Sequence, residues 1–490
     1  MSLVCSIVSA QSINDVLRYN TENTQGTARY QALSGAFGAL GGDLSSINSN
    51  PAGSAVFNNS QFAISATNYT LENDTNIPSR RNDLEFNQLG GVFVFKSTDP
   101  DADWKKFSLG FNYDKAQNFT EAINASSTTT TGIDQYFLSF AQGVPLGDIL
   151  LGDGEFIEDA YLDIGSNLGF GAQQAFLGLF GGAIDATDPN DNANTVYVPT
   201  GEYTNVRQEY SRRSFGYNNK YTFNIASQFQ ENIYLGASIN IHSIFSETVT
   251  ELTETGFNQD SNVQFIEFDN LLITRGNAFS YNLGAIAKLN KSVRIGASYQ
   301  SPTWYRLEDE LSQRINSTIA DNNIEFINFN LVNLFPRYTI KTPAKLTGSL
   351  ALIFGKQGLL SFDYGYQDMT QAELRPTGDF TAVNTAISDQ LQAVSTFRVG
   401  GEYKIDRLSL RAGYRFEQTP YASTTDAQIL GDLDGYSGGL GYNFGGSKLD
   451  LAVSTYSRFV SEEFLNTADA ARTNGLRNNT NVTLTYTINF

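Results

Sequence analysis

From Phe62 to Phe490 the chain repeats one pattern, in which apolar and polar residues alternate with a period of two. That period belongs to a β-strand with two chemically different faces, because successive side chains leave the backbone on opposite sides. The last residues show it most plainly: Val482, Leu484, Tyr486, Ile488 and Phe490 alternate with Thr483, Thr485, Thr487 and Asn489. Phe107, Leu109, Phe111 and Tyr113 alternate in the same way with Ser108, Gly110, Asn112 and Asp114. Counting such segments predicts fourteen strands, near 60–72, 84–96, 104–116, 219–229, 233–252, 274–289, 293–308, 338–354, 358–369, 395–405, 408–417, 434–444, 448–458 and 478–490.

Alternation alone fits two architectures. In a sandwich the apolar faces meet each other; in a membrane barrel they meet lipid and the polar faces line a lumen. The connections separate the two. Gln230-Glu231-Asn232, Asn290-Lys291-Ser292 and Gly445-Gly446-Ser447 are brief, whereas 117–218, 253–273, 309–337, 370–394, 418–433 and 459–477 are long, with a shorter one at 73–83. Short and long connections take turns, as they do in an even-stranded antiparallel outer-membrane barrel with tight periplasmic turns and long extracellular loops. Closure leaves no strand edge unpaired in lipid. The predicted fold is therefore all-β, a 14-stranded antiparallel transmembrane β-barrel over residues 60–490, placed in the bacterial outer membrane and in contact with its lipid and lipopolysaccharide.

Composition agrees and narrows the chemistry. Among 490 residues there are 35 Phe and 25 Tyr, but only one His and one Cys. A zinc site of His and Cys ligands, or a Cys–His nucleophilic pair, has almost no material. No Gly-x-Ser-x-Gly elbow accompanies His242, so no enzyme and no cofactor is implied. The 51 Asp and Glu against 32 Lys and Arg give a net charge of −19, which disfavours nucleic acid. The stretch Ile164 to Ile184 lacks charge, but six glycines with Ser166, Asn167, Gln173 and Gln174 make it too polar for a membrane-spanning helix. Residues 1–10, with an apolar stub from Leu3 and Val8-Ser9-Ala10 before Gln11, read as the remnant of a signal peptide.

Two regions fall outside the strand count. Residues 11–59, rich in Ala, Gly, Ser and Asn, precede the first strand on the turn side and are expected to fold into the lumen as an N-terminal plug, or hatch. The connection 117–218 is the longest, and Ala172, Phe176, Leu179, Phe180 and Ala183 fall on one helical face, so it is expected to be partly helical. It holds thirteen acidic residues against three arginines, a net −10. Such a mouth disfavours anions; the same charge serves equally to keep an exposed loop solvated.

Ahead of the first strand runs Gly41-Gly42-Asp43-Leu44-Ser45-Ser46-Ile47-Asn48-Ser49-Asn50-Pro51-Ala52-Gly53. Asn-Pro-Ala-Gly at this place, with Asp43 seven residues before Asn50, resembles the FadL/TodX family of outer-membrane transporters for hydrophobic compounds. The resemblance covers about a dozen residues and is supported by the strand count. It implies a fourteen-stranded barrel with a hatch inside. A hydrophobic small molecule, such as a long-chain fatty acid or another apolar compound, would be captured by the outer loops, passed to a site near the hatch, and released sideways into the bilayer. The matching hatch positions are Asn50, Pro51 and Ala52, with Asp43 bracing them. Phe176, Leu177 and Phe180 are the candidates for an apolar groove, although their helical spacing fits a loop core as well. For Asn50-Pro51-Ala52 the alternative is a tight turn tying plug to wall.

The inward-facing charges Arg294, Arg398, Glu402, Lys404, Arg411, Arg415 and Glu417 are of mixed sign and are expected to satisfy one another and the plug. His242, in phase with Tyr234, Gly236, Ser238 and Asn240, is expected on the lumen face rather than as a haem ligand. A second functional reading is an accessory or shuttle barrel that binds other outer-membrane proteins in an export or barrel-assembly complex.

Overall fold

The computed structural model describes residues 11–21, 24–422, 429–467 and 469–490. The expected signal remnant, residues 1–10, lies outside them. The wall strands are β1 (Gln61–Asp74), β2 (Ser79–Lys96), β3 (Trp104–Asn118, continued by Glu121–Thr129), β4 (Val206–Phe229), β5 (Ile233–Thr255), β6 (Phe265–Lys288) and β7 (Val293–Gln300 and Trp304–Ser317). They are followed by β8 (Tyr338–Lys341 and Lys345–Phe354), β9 (Gly358–Asp368), β10 (Ala393–Ile405), β11 (Leu408–Glu417), β12 (Leu430–Asn443), β13 (Ser447–Glu463) and β14 (Arg472–Asn489). Each pairs antiparallel with the next, and β1 pairs with β14 from Gln61↔Asn489 to Asp74↔Leu476, which closes the barrel. All fourteen expected strands are present.

Burial follows the alternation. Phe107, Leu109 and Phe111 on β3, and Phe223 and Ile225 on β4, are exposed on the outer surface. Ser108, Asn112, Thr222 and Asn224 between them are buried inside. A row of outward residues, Tyr113, Tyr221, Ile241 and Phe279, runs in register across β3 to β6. Phe95, Trp104, Phe354, Tyr403, Tyr442 and Phe444 ring the short-turn end as an exposed aromatic girdle.

The strands outrun the expected segments at the long-loop end. The fourth starts at Val206, so the flanks of the 117–218 connection belong to the wall, pairing from Glu121↔Ser214 to Thr129↔Val206. The connection 253–273 likewise shrinks to 256–264. Beyond the apolar band a strand meets water on its outer face, so the alternation that marks it in the sequence fades. β7 and β8 break at 301–303 and 342–344, where Pro302 and Pro343 cannot donate to the ladder.

Residues 11–59 fill the lumen as short helices, α1 (Ile13–Asn20), α2 (Ala28–Ala32) and α3 (Ser46–Ser49), and a 3₁₀ turn at Pro51–Val56. Thr27 caps α2 by accepting from the Tyr30 amide, while Ala28 N donates to Thr485 Oγ1 of the wall at 2.7 Å. The 130–205 excursion carries α4 (Ile133–Ala141), α5 (Ile157–Leu168) and α6 (Phe170–Phe180). Among the described residues no helix is long and apolar enough to cross a membrane.

Candidate functional site

The hatch junction rests on close backbone approaches. A Cβ on Gly284 of β6 would lie 2.0 Å from Asn50 Oδ1, and one on Gly236 of β5 would lie 2.4 Å from Pro51 O. Only glycine lets the Asn50 side chain and the Pro51 backbone lie this close to the wall. Asn50, fully buried, donates through Nδ2 to Gly38 O (2.8 Å), Ala285 O (3.0 Å) and Ala297 O (3.3 Å), and its Oδ1 accepts from Ala52 N (3.0 Å). One side chain therefore joins two hatch segments to two wall strands. Pro51 starts the 3₁₀ turn, and its carbonyl accepts from Asn224 Nδ2 of β4 at 2.9 Å. Gly42 N donates to Gly53 O at 3.1 Å, so the Gly-Gly and Asn-Pro-Ala-Gly segments lie together.

Asp43 is buried, accepting from Thr27 Oγ1 (2.7 Å) and Ser45 N (3.0 Å). Its recorded bonds go to the α2 cap and the start of α3, so it reaches Asn50, Pro51 and Ala52 only through the hatch fold. Hatch and wall are also tied by charge. Arg29 Nε lies 2.8 Å from Glu402, which also meets Arg411 Nε at 2.7 Å, and Arg411 Nη1 meets Asp450 at 2.6 Å. Arg415 and Arg458 share Glu417 at 2.6 and 2.8 Å. These lumen charges satisfy one another, as buried ionic groups must to offset desolvation.

Above the hatch lies a cavity of 130 Å³ between the C-terminal end of α1, α3 and the wall. Its lining is almost wholly hydrogen-bonding: Thr24, Asn48, Asp114, Asn218, Asn240 and Asn282 are representative, with the rings of Tyr19, Tyr30, Tyr299 and Tyr305. His242 also lines it, bonded through Nδ1 to Asn218 Oδ1 at 2.8 Å. The sequence alternation showed that the lumen is polar. It did not show which polar residues share one cavity, because that depends on register between strands far apart in the chain.

The wall beside this cavity is interrupted. β3 carries a bulge between Lys115 and Gln117, and Ala116, the residue left out of the ladder, lines the cavity. The β2–β3 ladder ends at Gln88↔Asp114. Above it, among the described residues, Arg80 to Phe86 of β2 pair with β1 only, and Asn87, at a bulge, is laddered to neither neighbour. At the top, Ser79 Oγ donates to Ala122 O of the β3 continuation. The unladdered stretch is eight residues, about 26 Å at a strand rise of ~3.3 Å. Side chains alone cross it, in the Glu85–Lys115 ion pair and an Asn118–Asp83 hydrogen bond. Leu84 and Phe86 beside it are 72% and 71% exposed. It opens just above the outward row that includes Tyr113, at the upper rim of the apolar band.

The long-loop end is drawn together by residues from strands that are not neighbours. Arg212 of β4 pairs with Glu121 at 2.9 Å and with Glu462 of β13, and Arg477 of β14 pairs with Glu121 at 2.6 Å. Tyr210 stacks on Phe464 with ring centroids 4.7 Å apart.

Phe176 and Leu177 lie inside the core of the loop excursion, with no accessible surface, and Phe180 is half-buried at its edge. The three are together, with Phe176 and Phe180 centroids 4.5 Å apart. In this conformation they form a packed core and present no open groove. Gln174, which made the 164–184 stretch too polar for a membrane helix, donates to Gln313 of β7 at 2.7 Å inside this core. Nearby, Glu254 is fully buried at the far end of β5, well above the apolar band, accepting from Ile133 N (2.9 Å) and Gln208 Nε2 (2.8 Å). Burial, with Asp134 close by, pushes its carboxyl up to about 7, and burial raises Asp134 too.

A closed barrel with a lipid-compatible outer face and an internal plug defines the class: a plugged transport barrel of the outer membrane. The chain belongs to the outer membrane protein transport protein family (OMPP1/FadL/TodX), whose family model matches residues 173–489. A Pseudomonas aeruginosa FadL homologue superposes with a TM-score of 0.52 at 13% identity, covering 96% of this chain and 99% of that one. The CymD monoaromatic hydrocarbon channel gives 0.50 at 13%, covering 96% and 99%. The P. putida toluene transporter TodX gives 0.50 at 14%, covering 95% and 99%. At these identities the structures share the fold. No curated protein matches the chain in sequence. Membership of this family places the protein among outer-membrane transport proteins and not among enzymes.

Proposed function

We propose that the protein takes up hydrophobic small molecules passively and releases them sideways into the bilayer. The short turns then face the periplasm, and the 130–205 excursion and the other long loops face outward. The unladdered stretch between β2 and β3 carries this reading. It stands beside the lumen cavity, at the rim of the apolar band, and leads from the one to the other. A sideways exit spares the solute from the aqueous periplasm, where each exposed CH₂ costs about 0.8 kcal/mol. The hatch closes the direct path, held by Asn50, Pro51 and Ala52 with Asp43 behind them. Phe176, Leu177 and Phe180 serve capture only if the loop core opens. That the relatives include proteins described as a toluene transporter and a monoaromatic hydrocarbon channel supports an apolar cargo.

The test uses cysteines at Glu85 and Lys115, whose side chains meet across the gap. In cells taking up radiolabelled dodecanol, bridging the Glu85→Cys/Lys115→Cys pair with a bifunctional methanethiosulfonate is expected to stop uptake, and reduction to restore it. Uptake that continues through the cross-linked wall would overturn sideways release.

A further inference from the structure

Two buried acceptor atoms at the foot of the gap have no partner. Asp114, 1% exposed, uses Oδ2 to accept from Asn48 Nδ2 (2.9 Å) and Asn112 Nδ2 (2.6 Å), and its Oδ1 accepts nothing. The first of those bonds fixes the Asn48 amide, whose Oδ1 is also unpartnered. Both residues line the lumen cavity. Asp114 is also the last β3 residue laddered to β2, so it stands where the cavity meets the gap. Lys220 faces Asp114 in register on β4 and also lines the cavity, but no ion pair joins the two. What the two oxygens lack is a hydrogen-bond donor, and a buried acceptor left unmet is costly.

We propose that the cargo is an amphiphile whose head group donates hydrogen bonds, of the long-chain alcohol class, with the head held by Asp114 Oδ1 and Asn48 Oδ1 while the tail enters the gap beside Leu84 and Phe86. A plain hydrocarbon leaves both acceptors unmet. A carboxylate brings a third acceptor and a like charge to Asp114. In the rest of the lining Asn218, Asn240 and Asn282 serve a hydroxyl in either role, whereas Lys220, Lys345 and Arg398 offer a carboxylate its counter-charge, which the dodecanoate arm of the test reads. The proposal rests on the uptake reading and names the chemical class of its cargo.

Scintillation-proximity binding of tritiated dodecanol, dodecanoate and dodecane, which share one chain length, to the detergent-purified full chain tests it. Dodecanol is expected to bind at least ten-fold more tightly than either of the others. Asp114→Leu is expected to remove that preference while leaving dodecane binding unchanged. Asp114→Asn, which keeps an acceptor and folds without a buried charge, is expected to retain it. Migration of unheated samples on a denaturing gel shows that each variant still forms the barrel. Equal binding of all three, or preference for dodecanoate or dodecane, overturns the head-group assignment; equal binding is also the result if water alone meets the two oxygens. In that case the uptake reading stands as long as the cross-link blocks release. Failure of all three to bind, with uptake indifferent to the cross-link, overturns both.

Discussion

Replacing Asn50 by alanine should loosen the hatch without opening the barrel wall. The Asn50 side chain makes four recorded hydrogen bonds while fully buried. Ala285 O and Ala297 O lie on laddered strands and lose little. Gly38 O and Ala52 N belong to the hatch and are left buried, at a cost of about 1–2 kcal/mol each. The docked hatch should therefore lose ~3 kcal/mol, which raises its undocked population on the order of 100-fold. Asn50→Asp should be worse than Asn50→Ala, because it keeps the acceptor for Ala52 N but turns an oxygen toward three carbonyl groups. Gly284→Val attacks the same junction from the wall, where even a Cβ would reach 2.0 Å from Asn50 Oδ1. Hydrogen exchange read by mass spectrometry on hatch peptides measures undocking, and gel migration of unheated samples reports on the barrel. Unchanged protection of the hatch in Asn50→Ala, or a milder effect from Asn50→Asp, would refute the reasoning.

Two further outcomes concern the loop excursion. Phe176→Ala deletes a ring with no accessible surface and should cost the loop core about 3–5 kcal/mol; limited proteolysis should then cut between 130 and 205 while the barrel persists, and unchanged resistance would mean that the core tolerates the cavity. Glu254 gives a pH dependence: its carboxyl is raised from 4.5 to about 7 in the folded loop. The folded form therefore holds a proton that the unfolded form releases. Its contribution is full below about 4.5 and is lost as pH rises to about 7, amounting to roughly 3 kcal/mol. Loop protection against proteolysis should fall over that window in the wild type and fall less in Glu254→Gln, where the raised Asp134 carboxyl remains; parallel profiles for the two would contradict the assignment.

The barrel was legible in the chain because lipid and lumen impose opposite solvents on alternate residues, and that difference is written strand by strand from Phe62 to Phe490. The plug and its Asn50-Pro51 turn were legible for a related reason, since a turn's backbone needs local residue types. Legibility failed where the solvent contrast ended. Above the apolar band both faces of β3 and β4 meet water or protein, so Glu121–Thr129 and Val206–Gly216 read as loop. Helical spacing picked out Phe176 and Phe180 correctly as one face, yet the same spacing serves a groove and a core, and only packing put them in a core. The bulge at Ala116, the end of the β2–β3 ladder and the unpartnered oxygens of Asp114 and Asn48 were decided by tertiary structure alone. Each depends on register between segments separated in sequence, and no local pattern of hydrophobicity records which residue stands opposite which.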